Sequence, residues 1–102
     1  MITLLSKITL YKKHKGRNTP FKSGYRPLFD FPNVKMKISG SIELIDSHNF
    51  EPGTTGIVNI TFWEGIIDSG YFKPGQQFEF GEGISHTGEG EFLEVVNQWE
   101  NP

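Results

Sequence analysis

The 102-residue sequence contains no cysteine. Disulfide crosslinks, zinc sites built from thiolates and a cysteine nucleophile are therefore excluded. Helix signals are also poor, because Gly or Pro interrupts most ten-residue windows. No apolar run is long enough to span a membrane, and the first residues lack the basic and apolar segments of a signal peptide. We therefore expect a cytoplasmic protein.

Aromatic residues, by contrast, are abundant. They make up 14% of the chain, and nine of them are phenylalanines. Disordered chains carry few bulky aromatics, so we expect a folded domain with a modest core. Strand formers alternate with turn signals such as Pro52-Gly53 and Pro74-Gly75. The pattern predicts one all-β domain over residues 1–102, with about six short antiparallel strands forming a barrel or a sandwich.

The clearest strand pattern lies between Val34 and Leu44. Its apolar residues share one parity and are expected to point inward: Val34, Met36, Ile38, Ile42 and Leu44. Gly40 falls on the same parity, where a bend would suit a barrel corner. In the strand that ends at Trp63, the same alternation predicts Val58, Ile60 and Phe62 to point inward. Elsewhere it places pairs of apolar residues on one shared face: Ile8 with Leu10, Phe29 with Phe31, and Phe78 with Phe80.

Charge is segregated along the sequence, although the net charge is only −2. Nine of the ten Lys and Arg lie in residues 1–37, whereas eleven of the twelve acids follow residue 37. Two interpretations remain open. The two sets could interleave on the solvent faces of a barrel, because strands distant in sequence become neighbours there. Alternatively, they could form a dipolar surface with a basic patch for phosphates or for an acidic partner.

The basic residues suggest a candidate nucleic-acid-binding or partner-binding site. Four of them fall on one predicted loop: Lys12, Lys13, Lys15 and Arg17. This density of charge could contact RNA or an acidic protein surface, or it could be a solvated hairpin tip. Arg26 joins the candidates because an arginine held against aromatics can stack or bind a phosphate. A structural role for Arg26 is the alternative, with its guanidinium bonded to carbonyls or to a carboxylate such as Asp30.

An apolar segment after the fourth predicted strand is a candidate protein interface. It contains Ile66, Ile67, Tyr71 and Phe72, and it follows Trp63. The segment could form a flap packed over one barrel end, or an exposed apolar patch for a protein partner. Trp63 could accordingly lie at an interface or at the edge of the core.

Catalytic and metal-binding patterns are missing. His14, His48 and His86 fall in separate predicted loops without metal-ligand spacing. Glu89 and Glu91 share a strand face, but nothing in the sequence predicts a pocket around them. No Walker-type lysine motif occurs, which excludes nucleotide hydrolysis of that kind. We expect a non-enzymatic chain without catalytic residues, metal, cofactor or small-molecule substrate.

Several separate segments, taken in order, resemble one known family. They are Arg17-Asn18-Thr19-Pro20-Phe21, Gly24-Tyr25-Arg26-Pro27, Phe29 with Phe31, Gly40-Ser41-Ile42-Glu43-Leu44, Pro52-Gly53-Thr54, Phe78-Glu79-Phe80-Gly81-Glu82-Gly83 and Gly88-Glu89-Gly90. Together they span roughly residues 6–96 and resemble the third domain of translation elongation factor Tu. The resemblance implies a six-stranded antiparallel Greek-key β-barrel that performs no chemistry. Because 102 residues leave no room for the GTPase domain of that factor, we expect the barrel without it.

The resemblance also implies partners. In the family this barrel contacts the T-arm of tRNA, packs on the GTPase domain and helps to bind the exchange factor. Arg17 matches a family arginine near the tRNA backbone, but Asn18, Leu28, Gly81 and Ser85 replace the histidine, the glutamine and two arginines of the family pattern. We therefore expect a translation-related binding module for a protein partner, with tRNA or other RNA as a further possibility. The alternative is a mimic, inhibitor or immunity-type protein that occupies a partner of elongation factor Tu.

Overall fold

The structure, a computed structural model, describes residues 1–12, 19–63, 69–83 and 85–98. Six strands form in chain order: β1 (Ile2–Leu10), β2 (Leu28–Asp30), β3 (Ile38–Leu44), β4 (Thr55–Phe62), β5 (Gln77–Glu82) and β6 (Ser85–Gln98). A single 3-10 turn at Ser69–Tyr71 is the one helical element among the described residues. None of these residues forms a helix that is long and apolar enough to cross a bilayer.

The six strands close into an antiparallel barrel in the order β1-β4-β3-β2-β5-β6, with β6 paired to β1. Strands β2, β3 and β4 are successive neighbours, and β1 lies beside β4. That order is a Greek key. The predicted all-β, six-stranded antiparallel barrel is therefore confirmed. The barrel also places β1, from the basic third of the sequence, directly beside the acidic β6.

Phenylalanine rings fill the barrel interior. Phe29 is fully buried, and its ring centroid lies 4.9 Å from that of Phe62 and 5.5 Å from that of Phe78. Phe78 and Phe92 are 4.8 Å apart. These are the separations at which aromatic pairs attract one another beyond simple area burial. The three positions of β4 that were predicted to point inward are all buried, which confirms that part of the pattern, and Phe78 and Phe80 of β5 are buried as well.

Glycines make room for these rings. A β-carbon at Gly40 of β3 would lie 2.7 Å from Cε1 of Phe62 and 2.9 Å from Cε2 of Phe29. Gly88 of β6 lies opposite Phe80 of β5, whose ring occupies the space that a side chain would need. Large rings on one strand thus lie against glycines on the next, and this pairing of large with small residues is how a narrow barrel is closely packed.

Two proline-glycine turns follow the predicted chemistry. Gly53 and Gly75 have positive φ angles of 82° and 88°. In both turns an amide closes the loop: Thr54 N donates to the Glu51 carbonyl and Gln76 N donates to the Lys73 carbonyl, at 3.3 and 3.2 Å. Both residues at the third turn position therefore adopt the left-handed region that glycine tolerates best.

The prediction for Val34 and Met36 was wrong in part. Strand β3 begins only at Ile38; Met36 is 57% exposed, and Val34 is half-buried. The cause is a turn in which Val34 N donates to the Phe31 carbonyl at 3.1 Å and Asn33 has a φ of 67°. The alternation rule applies only within a strand, and residues 34–37 lie before one.

Candidate interaction surfaces

The outer face of the barrel carries an exposed stack of an arginine on a tryptophan. The Cζ atom of Arg26 lies 4.5 Å from the centroid of the Trp63 ring. Both side chains are exposed, Trp63 by 46%. A cation held over an indole face is attracted by the ring quadrupole by about 0.5–1 kcal/mol at an exposed site. The structure thus joins two residues that the sequence had suggested for different sites.

The backbone on either side of Arg26 is fixed to β3. Tyr25 and Ile42 form an antiparallel bridge, in which Ile42 N donates to the Tyr25 carbonyl at 2.9 Å. On the other side, Gly40 N approaches the Pro27 carbonyl at 3.4 Å. These two anchors hold the arginine beside the end of β4, which Trp63 follows directly. Arg26 therefore stacks on an aromatic ring, whereas Asp30 contacts His86.

The other predicted site residues lie apart from this stack or outside the described residues. Lys12 is exposed, and its stem crosses the Pro52-Gly53 turn, since a β-carbon at Gly53 would be 2.8 Å from its Cγ. Tyr71 is half-buried with its ring centroid 6.1 Å from that of Phe31, so it packs on the barrel end as a flap would. Five predicted residues lie outside the described part of the chain: Lys13, Lys15, Arg17, Ile66 and Ile67.

A second surface, which the sequence did not reveal, is a row of carboxylates across three strands. Asp30 of β2 lies opposite Glu79 of β5, and Glu79 lies opposite Glu89 of β6. We call Asp30, Glu79 and Glu89 the carboxylate row. Together with residues of β1 and the loop after β2, it lines an open groove of about 870 Å³ on the outside of the barrel. Like charges in direct cross-strand register repel one another.

His86 lies between two members of the carboxylate row. Its Nε2 is hydrogen-bonded to Oδ2 of Asp30 at 3.1 Å, and its Nδ1 lies 3.0 Å from Oε2 of Glu79. The imidazole is about one-third exposed, with a relative accessibility of 31%. It therefore reaches from β6 across β5 to β2 in a partly screened environment.

Tyr11 contacts the third member of the row. Its hydroxyl donates a hydrogen bond to Oε1 of Glu89 at 2.7 Å. Burial, followed by this hydrogen bond and the negative charge of Glu89, raises the pKa of the Tyr11 hydroxyl above its ordinary value. The tyrosine is thereby held in its neutral, proton-donating form beside the carboxylate.

The segregation of charge along the sequence is partly undone in space. Lys7 of β1 lies opposite Glu91 of β6, because these strands are neighbours in the closed barrel. Between β1 and β6, basic and acidic residues therefore interleave, as the first of the two interpretations expected. The carboxylate row remains a concentration of negative charge all the same. Among the described residues, no group of three or more His, Asp or Glu side chains is arranged to hold a metal ion.

Two polar surfaces lie on the outside of the barrel. The Arg26–Trp63 stack offers a planar cation and an indole edge, and the carboxylate row offers hydrogen-bond acceptors beside an imidazole. The chain is thus an antiparallel Greek-key barrel with two distinct polar surfaces on its outer face. No protein-family model matches it.

Proposed function

We propose that this chain is a non-enzymatic protein-binding module related to the third domain of translation elongation factor Tu. The ordered segments of the sequence that resemble that family support the relationship, and so does a six-stranded antiparallel barrel of the expected Greek-key order. A barrel whose interior is filled with phenylalanine rings leaves its outer surface for recognition. The proposal therefore concerns what this surface binds.

The exposed Arg26–Trp63 stack is the observation that carries the proposal. Trp and Arg, together with Tyr, are enriched among the residues that dominate binding energy at protein interfaces. The stack is already formed in the free chain, and the backbone of Arg26 is fixed on both sides to β3. Little side-chain entropy is then lost on binding, which favours a preformed anchor over a flexible one.

RNA is the second candidate partner, favoured by the basic segment that contains Lys13, Lys15 and Arg17. Electrostatic contact with a phosphate backbone needs only positive charge density. Against RNA, the negative charge of the carboxylate row repels phosphates, so an RNA ligand would have to avoid that face of the barrel. We therefore place a protein first and RNA second.

Affinity capture from an extract of the native cell tests the proposal. The immobilised wild-type chain is compared with Trp63→Ala and Arg26→Ala, and Ile57→Ala is the matched control, because Ile57 is 45% exposed against 46% for Trp63. We expect one partner protein whose capture survives nuclease treatment and falls by at least about tenfold in both stack variants. Ile57→Ala should retain the capture.

Three other outcomes would overturn or redirect the proposal. Capture unchanged by Trp63→Ala and Arg26→Ala would refute the stack as the anchor. RNA would be favoured if nuclease abolished the capture, if salt weakened it steeply, and if Lys13→Ala, Lys15→Ala and Arg17→Ala also weakened it. Displacement of the captured protein by added elongation factor Tu would support the alternative of a mimic or inhibitor that occupies a partner of that factor.

A further inference from the structure

We propose that His86 is a proton-dependent clamp that holds the shortest strand of the barrel in place. In its protonated form, the imidazolium links Asp30 of β2 to Glu79 of β5. In its neutral form, the link fails and the two carboxylates face each other without a cation between them. The barrel is then less stable along the seam between β2 and β5. This inference does not depend on the identity of any partner.

Strand β2 is the part of the barrel with the least backbone pairing. It has three residues, of which two pair with β3 and three with β5. By comparison, β1 and β4 pair over eight residues. A seam with so few ladder hydrogen bonds opens more easily than a long one, so interactions between side chains weigh more there.

The charges along this seam work against its closure. Asp30 lies directly opposite Glu79, and Glu79 lies directly opposite Glu89. Directly opposed like charges destabilise an antiparallel pair. The β2–β5 seam thus has only three register pairs, one of which sets Asp30 against Glu79, and Glu89 adds a further negative charge on β6. A positive charge between these carboxylates would stabilise the seam.

His86 can supply that charge only when it is protonated. A neutral imidazole has one N–H donor and one acceptor, whereas the imidazolium has two donors. Here Nε2 lies 3.1 Å from Asp30 Oδ2 and Nδ1 lies 3.0 Å from Glu79 Oε2, so both ring nitrogens face carboxylate oxygens. A neutral ring would present a lone pair to one of the two carboxylates. The geometry therefore fits the cation.

Among the described residues, the charged groups that face His86 from the neighbouring strands are carboxylates. Asp30 faces it from β2 and Glu79 from β5. Glu89 of β6 lies opposite Glu79 and accepts a hydrogen bond from Tyr11, the residue that follows β1. On the hairpin side, Nζ of Lys37 donates to the Gly83 carbonyl at 3.2 Å rather than to the row. Carboxylates thus dominate the field at the imidazole.

The direction of the pH effect follows from this arrangement. The clamp contributes stability while His86 is protonated and the carboxylates are ionised. It is lost when the imidazole gives up its proton, so it weakens as the pH rises. The seam should therefore loosen at higher pH, and the groove lined by the row should become more negative.

Equilibrium unfolding of the full chain at about pH 5.5 and about pH 8 tests the clamp. The wild type is compared with His86→Gln, and His48→Gln is the control, because His48 is exposed in the loop between β3 and β4. We expect the folding equilibrium constant of the wild type and of His48→Gln to fall roughly threefold to tenfold between the two pH values. His86→Gln should show little of this fall. An equal fall in all three proteins would refute the clamp.

Amide hydrogen exchange of the wild type provides a second test that needs no substitution at His86. Protection factors of β2 and β5 amides are compared with those of β1 and β4 at the same two pH values. We expect protection to fall more in β2 and β5 than in β1 and β4, and Glu79→Gln, which removes the central charge of the row, to reduce that difference. A uniform change across the barrel, or none, would overturn the proposal.

Discussion

Replacing Gly88 by alanine tests whether the barrel interior is packed as tightly as its phenylalanine rings indicate. Gly88 lies on β6 opposite Phe80 of β5 and Leu10 of β1. A β-carbon there would lie 2.7 Å from Cε1 of Phe80 and 2.7 Å from the carbonyl oxygen of Thr9, and it would overlap Cζ of Phe80. Ordinary contacts begin at 3.4 Å, so a ring and the backbone of a neighbouring strand both have to move.

The magnitude follows from what has to move. Overpacking of a core by one methyl group costs about 1–3 kcal/mol, and the upper half of that range applies where a backbone carbonyl is involved. Gly→Ala also lowers the conformational entropy of the unfolded chain, which stabilises the folded state by about 0.4–1 kcal/mol. We therefore expect Gly88→Ala to lower the free energy of unfolding by about 2 kcal/mol. That is a large share of the about 5–15 kcal/mol typical of a small domain.

Denaturant unfolding of Gly88→Ala, Phe80→Leu and the double variant measures the effect and its cause. Phe80→Leu removes the ring that occupies the space and costs about 1–2 kcal/mol by itself. Because the leucine leaves room for the added methyl group, the double variant should be more stable than the sum of the two losses predicts, by at least about 0.5 kcal/mol. Strict additivity, or a stable Gly88→Ala protein, would refute the packing argument.

Three further predictions follow from single contacts. Burial and Glu89 raise the pKa of Tyr11, so its hydroxyl stays protonated in the folded chain at pH values where the tyrosine of the unfolded chain ionises; the free energy of unfolding should therefore fall as the pH rises above about 10. In an ultraviolet titration, Glu89→Gln should lower the pKa of Tyr11, and an unchanged pKa would contradict the role given to Glu89. Phe29→Ala should cost about 3–5 kcal/mol in thermal or denaturant unfolding, and a loss below about 1 kcal/mol would be incompatible with its central place among the rings. Gly75→Ala and Gly53→Ala should each lower the free energy of unfolding by about 1 kcal/mol, because both glycines have a positive φ and the only side chain that crowds Gly53 is the flexible stem of Lys12. A much larger loss for Gly53→Ala in denaturant unfolding would show that this stem cannot move aside.

Alternation in the sequence predicted most of the barrel because burial on one face repeats every two residues. Val58, Ile60 and Phe62 are buried as that rule requires. The rule failed at Met36, where the chain has not yet entered β3. The apolar parity of Val34 and Met36 does not reveal the turn that delays the strand, in which Val34 N donates to the Phe31 carbonyl.

The surfaces were harder to predict, because they depend on pairing between distant strands. Arg26 and Trp63 were each recognised as candidates, but their contact arises only when β2, β3 and β4 are laid side by side. The pair Glu79 and Glu89 belongs to one hairpin and follows from its register. Asp30 joins them only through the closure between β2 and β5, which no local pattern encodes.

The two surfaces share β2 but should respond separately to perturbation. Arg26 precedes β2, yet its backbone is anchored to β3 through the Tyr25–Ile42 bridge and the contact between Pro27 and Gly40. His86, by contrast, acts on the far side of β2, toward β5. Opening of that seam leaves both anchors of Arg26 intact, so His86→Gln should not change partner capture that depends on Trp63. A matching loss of capture in His86→Gln would mean that the carboxylate row is itself part of the docking surface.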